Sequence, residues 1–239
     1  MAAVLLALTR VLSADTRCSA CHAKVVISYE KTGMGRSISR PSKEVVPYQK
    51  FDHPVSGTKL SSAWSSGALL HKLMRNGQQS VYKTSWAVGS GNQCKSFLIE
   101  IGVALFQSPI SWYSSRRSWD LSPGFESDSR PDFFRPVTAD CMFCHAGMVR
   151  PRKGTLNRYL DPPFFPASIG CDRCHGDPAA HLLAPRKANI VNPSRLEPQR
   201  RDAVCEQCHL SGEARIPNPG KIFSDFRPGM VMEEVLVFT

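Results

Sequence analysis

CDRCH, residues 171–175, sets two cysteines two residues apart with a histidine directly after the second, and the phrase recurs three times. CSACH stands at 18–22, CMFCH at 141–145 and CEQCH at 205–209. Eight of the nine cysteines in the 239-residue chain sit in these pairs, and Cys94 is left over. Paired cysteines can close disulfides, hold zinc or carry haem, and the histidine separates the three uses. With seven histidines in the chain, a given position is histidine about 3% of the time. Four hits in four motifs then arise by chance on the order of once in a million.

A zinc site has no need of a histidine right after each second cysteine, and a structural disulfide is equally blind to it. A c-type haem site does need it. The two thiols add to the two vinyl groups of the porphyrin, and the next residue presents its imidazole to the iron. The sequence therefore predicts four covalent haems c. Their thioether pairs are Cys18 with Cys21, Cys141 with Cys144, Cys171 with Cys174, and Cys205 with Cys208. Their proximal ligands are His22, His145, His175 and His209.

Each iron also has a distal position, and three histidines remain: His53 in FDHPVSG, His71 in LLHKLMRNG and His181 in CHGDPAAHLL. All three are candidate distal ligands, which leaves a deficit of one. Met34 in KTGMGRS is the internal candidate for the fourth, because glycines on both sides would let the backbone approach a flat ring. A thioether ligand would raise that haem's potential. An open five-coordinate iron and a histidine lent by another subunit are the other solutions, and the sequence does not choose among them.

The 18 prolines and 16 glycines cut the chain into short pieces, and no run of 18 apolar residues is present. No transmembrane helix is expected. Four haems leave about 60 residues each, so porphyrin is expected to replace much of the side-chain core. The expected fold is a multihaem cytochrome c with low regular secondary structure. Short α-helices would surround the CxxCH motifs, a small antiparallel β region would accompany them, and four haems would form the core. We expect a single tetrahaem domain over 1–239, with the first haem and a β-hairpin region in 15–140 and a three-haem region in 141–239.

Asn76-Gly77 predicts a type I′ hairpin, and SFLI at 96–99 with VALFQ at 103–107 flank Gly102 as a second. WYSSRRSW and SPGF at 122–125 read as aromatic-rich turns, and Trp86, Trp112, Tyr113, Trp119 and Phe125 as haem-contacting core. LEPQRRDAVCEQCHLSG reads as one helix, with Pro198 in its first turn and Gly212 past its end. IVNPSRL at 190–196 and IPNPGKI at 216–222 are expected connectors, and VMEEVLVFT an edge strand or the entry to a further segment. Cys94 is expected to be an inert buried thiol.

The formal charge of +10 invites a nucleic-acid reading, but haem gives a nearer one. Eight propionates and four ferric irons bring it to roughly +6, or about +2 when reduced, which leaves a modest basic surface for a redox partner. Arg116, Arg117, Arg173, Arg200 and Arg201 are candidate propionate partners, and no nucleic acid is expected. AAVLLAL at 2–8 has the length of a signal-peptide core and SA at 13–14 would end a cleavage site, although Arg10 interrupts the pattern. Covalent haem is attached outside the cytoplasm. The expected location is therefore exported, either periplasmic or extracellular at the cell surface.

On these residues the chain resembles the multihaem c-type cytochromes. It is most similar to the doubled-CxxCH group that includes the tetrahaem cytochromes serving hydroxylamine oxidoreductase. The matching stretches are the four CxxCH motifs, TGMGRS at 32–37, HPVSG at 53–57, GSG at 89–91, SPISWY at 108–113, CDRCHGDPAAH at 171–181 and VCEQCHLSG at 204–212. In that group the histidine six residues after a CxxCHG histidine commonly ligates a different haem, which the resemblance extends to His181. The expected function is electron transfer through mostly six-coordinate irons, bis-His or His/Met, with redox proteins as partners. Some relatives polymerise into extracellular conducting filaments with inter-subunit haem contacts, an arrangement the missing ligand fits. The alternative is a multihaem oxidoreductase acting on a small nitrogen or sulfur compound at an open haem. With no acid–base cluster in view, an electron carrier is expected over an enzyme.

Overall fold

The structure is a computed structural model that describes residues 16–43, 47–209 and 214–238. The leader-like stretch at 2–8, the SA pair at 13–14 and Gly212 lie outside the described residues. The first half contains α1 (Thr16–Tyr29), β1 (Ile38–Ser39), β2 (Gln49–Asp52), β3 (Lys59–Ser65) and β4 (Ala68–Arg75). It continues with β5 (Gln78–Lys83), β6 (Trp86–Val88), β7 (Cys94–Ile101), β8 (Ala104–Tyr113), β9 (Ser118–Leu121) and β10 (Arg135–Pro136). The second half holds α2 (Ala139–His145), β11 (Val149–Pro151), β12 (Tyr159–Phe164), α3 (Asp172–His175) and α4 (Ala179–Leu183). After these come α5 (Pro198–His209), β13 (Arg215–Pro217) and β14 (Leu236–Phe238).

Two antiparallel sheets dominate. One runs β2-β3-β4-β5, and the other runs β1-β6-β7-β8-β10 with β9 also paired to β8. The β region, expected to be small, thus supplies more of the regular secondary structure than the α-helices do. Its turns explain why. Asn76 (φ 50°) and Gly77 (φ 75°) join β4 to β5, and Gly102 (φ 61°) turns β7 into β8, both as expected from sequence. Ser66 (φ 49°) and Gly67 (φ 76°) make a further two-residue turn between β3 and β4. An SG pair is a turn signal.

Strand alternation divides the side chains between two cores. Leu60, Leu69, Leu73, Ala87, Phe97, Ile99, Ile110, Trp119, Leu121, Phe125 and Phe133 pack between the two sheets. Trp86, Val88, Leu98 and Leu105 face the other way, onto Tyr159 and Phe164 of β12 and Met142 of α2. Trp86, Trp119 and Phe125, expected against haem, are buried here among protein side chains. The β portion therefore has an apolar core of its own. Cys94 on β7 is half-buried, opposite Tyr113.

Pro198 begins α5, as its fixed φ predicts. The end of the chain supplies an edge strand, with Leu236 beside Pro217, so IPNPGKI is part strand and part turn. Phe143 of α2, Ala203 of α5 and Phe226, Met232, Val235 and Leu236 form a small separate cluster.

Candidate haem-iron sites

The CxxCH motifs lie on α1, α2, α3 and α5, with Cys171 standing as the N-cap of α3. Thr138 caps α2 by accepting from the Cys141 backbone N–H. α3 is a single turn closed at Gly176, whose φ of 75° favours glycine, which explains why CDRCH is followed by one. In α1 the helix breaks at His22 (φ −117°, ψ 34°), so the ligand residue stands at a kink.

The last three motifs meet. The Cys144 sulfur lies 3.7 Å from the Gln207 carbonyl, and Gln207 Nε2 donates to the Arg173 carbonyl at 2.9 Å. The Arg173 guanidinium stacks 3.9 Å over Phe143 and donates to its carbonyl. The far end of α1 reaches the third motif, where the Tyr29 hydroxyl donates to the Ile169 carbonyl at 2.9 Å. The first motif, isolated in sequence, is joined to α4 by the ring of His181.

That contact is the most informative in the molecule. The His22 and His181 ring centres are 6.4 Å apart, with planes inclined by 19°. Two imidazoles on opposite faces of one iron, each nitrogen about 2 Å from it, would have centres roughly 6.3 Å apart. The helices that carry the pair also leave apolar side chains in water. Leu183 is 88% exposed, and Val25 65%. Ile27 and Leu182 are exposed beside them. A flat apolar ring between the helices would cover them.

The hydrogen bonds separate ligand-ready histidines from structural ones. His181 Nδ1–H donates to the Arg186 carbonyl at 3.2 Å and His175 Nδ1–H to the Val191 carbonyl at 2.8 Å. A carbonyl only accepts, so Nδ1 carries the proton and Nε2 is left bare for a metal. The single loop between Arg186 and Val191 thus orients two candidate ligands.

His53 is placed otherwise. Its Nε2–H donates to the Phe125 carbonyl at 2.7 Å, and Nδ1 accepts from the Ser56 N–H at 3.1 Å. Both ring nitrogens are used, and the residue is buried. His71 points into the core between the sheets, where the rings of Phe97 and Trp119 meet it edge-on at 5.1 and 5.3 Å. Its Nδ1 lies 2.7 Å from the Ser108 hydroxyl, and its Nε2 is buried without a partner. Across the ladder from it, Ser62 likewise buries an unpartnered hydroxyl. The structure does not bring His53 or His71 to a CxxCH motif as it brings His181.

Burial pushes His71 down to about 3 from its ordinary 6.5. Its unfolded form takes up a proton below pH 6.5 and its folded form does not, so this contribution is complete above pH 6.5 and is lost as pH falls. Between pH 6.5 and pH 5 stability should decline by about 2 kcal/mol from this group. Denaturant titrations at the two pH values check this, and His71→Leu should flatten the difference.

Met34 is 42% exposed in the turn after α1. A Cβ on neighbouring Gly35 would collide with the Tyr29 carbonyl, so that glycine closes the chain against its own helix end. Among the expected propionate partners, Arg116 pairs with Asp120 at 2.9 Å and Arg201 with Asp202 at 2.9 Å. Arg200 lies 3.6 Å from Glu234, and Arg173 is spent on Phe143.

Zinc can be weighed on the same geometry. Among the described residues no three His, Cys, Asp or Glu side chains converge to hold an ion directly, and no disulfide joins the cysteines. The pairs therefore do not assemble into Cys₄ sites. They remain spaced along single helical turns, as two thioether bonds to one porphyrin require.

These features support the class of multihaem c-type cytochromes, and comparison with known proteins points the same way. Residues 124–176, which take in CMFCH and CDRCH, match the family model of cytochrome c554 and c-prime. The fold is similar to the crystal structure of the outer cell wall cytochrome OcwA, with a TM-score of 0.57 at 14% identity. The likeness covers 94% of this chain and 44% of OcwA, so the chain spans less than half of that protein's length. No curated protein matches this chain. Among the described residues no helix is long and apolar enough to cross a membrane.

Proposed function

We propose that the chain is an electron-transfer module carrying four haems c, one on each CxxCH motif. The observation that carries the reading is the His22–His181 pair, two imidazoles at the separation that one six-coordinate iron requires, on helices with uncovered apolar faces. Haem supplies a one-electron couple. The chain's residues anchor it through sulfur, set its axial field and, where both axial positions are filled, keep substrates off the iron. His53 and His71 serve the β core, leaving His181 as the distal histidine that this chain provides. The deficit of distal ligands then grows from one to three.

The irons of His145, His175 and His209 are completed by Met34 or another non-histidine group, by a neighbouring subunit, or not at all. The neighbouring subunit is the arrangement of a homopolymer or of a larger redox complex. The attachment chemistry and the cell-wall location of OcwA support an exported, extracellular or periplasmic protein. One observation favours the second reading, a multihaem oxidoreductase: the same deficit would leave irons open. Mixing the reduced protein with ferricyanide, and separately with nitrite, hydroxylamine and sulfite, tests the assignment. The electron-transfer reading expects rapid oxidation of all haems by ferricyanide and no sustained turnover of the small compounds. Sustained turnover would overturn it.

A further inference from the structure

We propose that the cavity beside the end of α1 binds a planar aromatic anion. It holds about 700 Å³, within the range of small-molecule sites, and no CxxCH residue lines it. Three stretches that the haem geometry leaves unused converge on it: Gly35 and Arg36 of TGMGRS, Gly89 to Gly91, and Trp112 of SPISWY.

The lining has two characters. Half-buried Trp112 offers an aromatic ring to a flat molecule, and Phe97, Leu69 and Ala87, almost wholly buried themselves, close the apolar wall behind it. Arg36, Arg40 and Arg117 give a basic rim. Their commitments differ. Arg40 stacks 3.7 Å over Trp86 and donates to the Ser85 carbonyl at 3.0 Å, so it is occupied. Arg36 makes two contacts of 3.4 Å, to the Thr32 carbonyl and Asn92 Oδ1, at the long end of hydrogen bonding. The Arg117 guanidinium makes no hydrogen bond or ion pair among the described residues, and its backbone sits at φ 48° in the turn before β9. Glu30 and Lys95, also in the lining, each have interactions of their own.

Two weakly engaged guanidinium groups in a cavity that also presents aromatic and apolar side chains suit a ligand that is flat, apolar in its middle and acidic at its edge. An aliphatic anion would leave the Trp112 ring unused, and a neutral ring would leave the guanidiniums unpaired. Ser168 in the cavity wall precedes Cys171 by three residues, about 10 Å of chain. The third haem attachment is therefore close by. That proximity rests on the haem reading, whereas binding does not.

Calorimetric titration of the haem-loaded chain tests this with three probes: naphthalene-2,6-disulfonate, neutral naphthol and methanesulfonate. The disulfonate should bind, and the other two at least about tenfold more weakly. Arg117→Gln and Arg36→Gln should each weaken the disulfonate about tenfold, while Lys153→Gln, at an exposed turn, should leave it unchanged. Equal binding by the two arginine variants, or by naphthol, overturns the proposal. So does the absence of heat in a sample that still carries its haems. Colourless protein would count against the haem reading instead.

Discussion

Replacing His181 with alanine should convert one haem from six-coordinate and low-spin to five-coordinate and high-spin, adding one carbon monoxide site per molecule. The imidazole lies 6.4 Å from that of His22, and its Nδ1–H is already committed to the Arg186 carbonyl. Nothing else among the three non-motif histidines stands near a CxxCH motif in this way. The effect should be confined to one haem. His181→Met, which restores a weaker axial donor, should return most of the low-spin signal at a raised potential. Carbon monoxide titration of the reduced proteins, with visible spectra, reads all three forms. An unchanged carbon monoxide stoichiometry in His181→Ala would remove His181 from the iron.

His53→Ala should have the opposite profile, with haem spectra and potentials unchanged and the fold markedly weakened. The substitution strands the buried Phe125 carbonyl and the Ser56 N–H and leaves a void beside them. Together these should cost about 3 kcal/mol. Denaturant unfolding followed by circular dichroism measures the loss. His53→Gln, which can still reach the Phe125 carbonyl, should recover part of it. A large change in a haem potential with little change in stability would return His53 to the list of ligands.

The contrast between these two histidines shows what the sequence disclosed. The four CxxCH motifs were legible because the chemistry fixes both spacing and residue type within five positions. The hairpins at Asn76-Gly77 and Gly102, and the start of α5 at Pro198, were legible because backbone conformation selects those residues. The pairing of His22 with His181 was not, since a contact between α1 and α4 leaves no local pattern. His53 and His71 were read from ligand demand alone. Yet Leu69, His71 and Leu73 alternate along β4, which places His71 on the buried face with the two leucines, a period-two signal present in the sequence. His53 is followed at the third position by Ser56, which caps it in a tight turn. Aromatic residues alone do not distinguish porphyrin from protein neighbours; two sheets give Trp86 and Trp119 protein partners.

The intact mass of the purified protein tests the central claim most directly. Sulfur-bonded porphyrin at Cys18/Cys21, Cys141/Cys144, Cys171/Cys174 and Cys205/Cys208 predicts a polypeptide heavier by four haem increments that survive denaturation. A mass equal to the amino acids alone, or colour that leaves on unfolding, would contradict it.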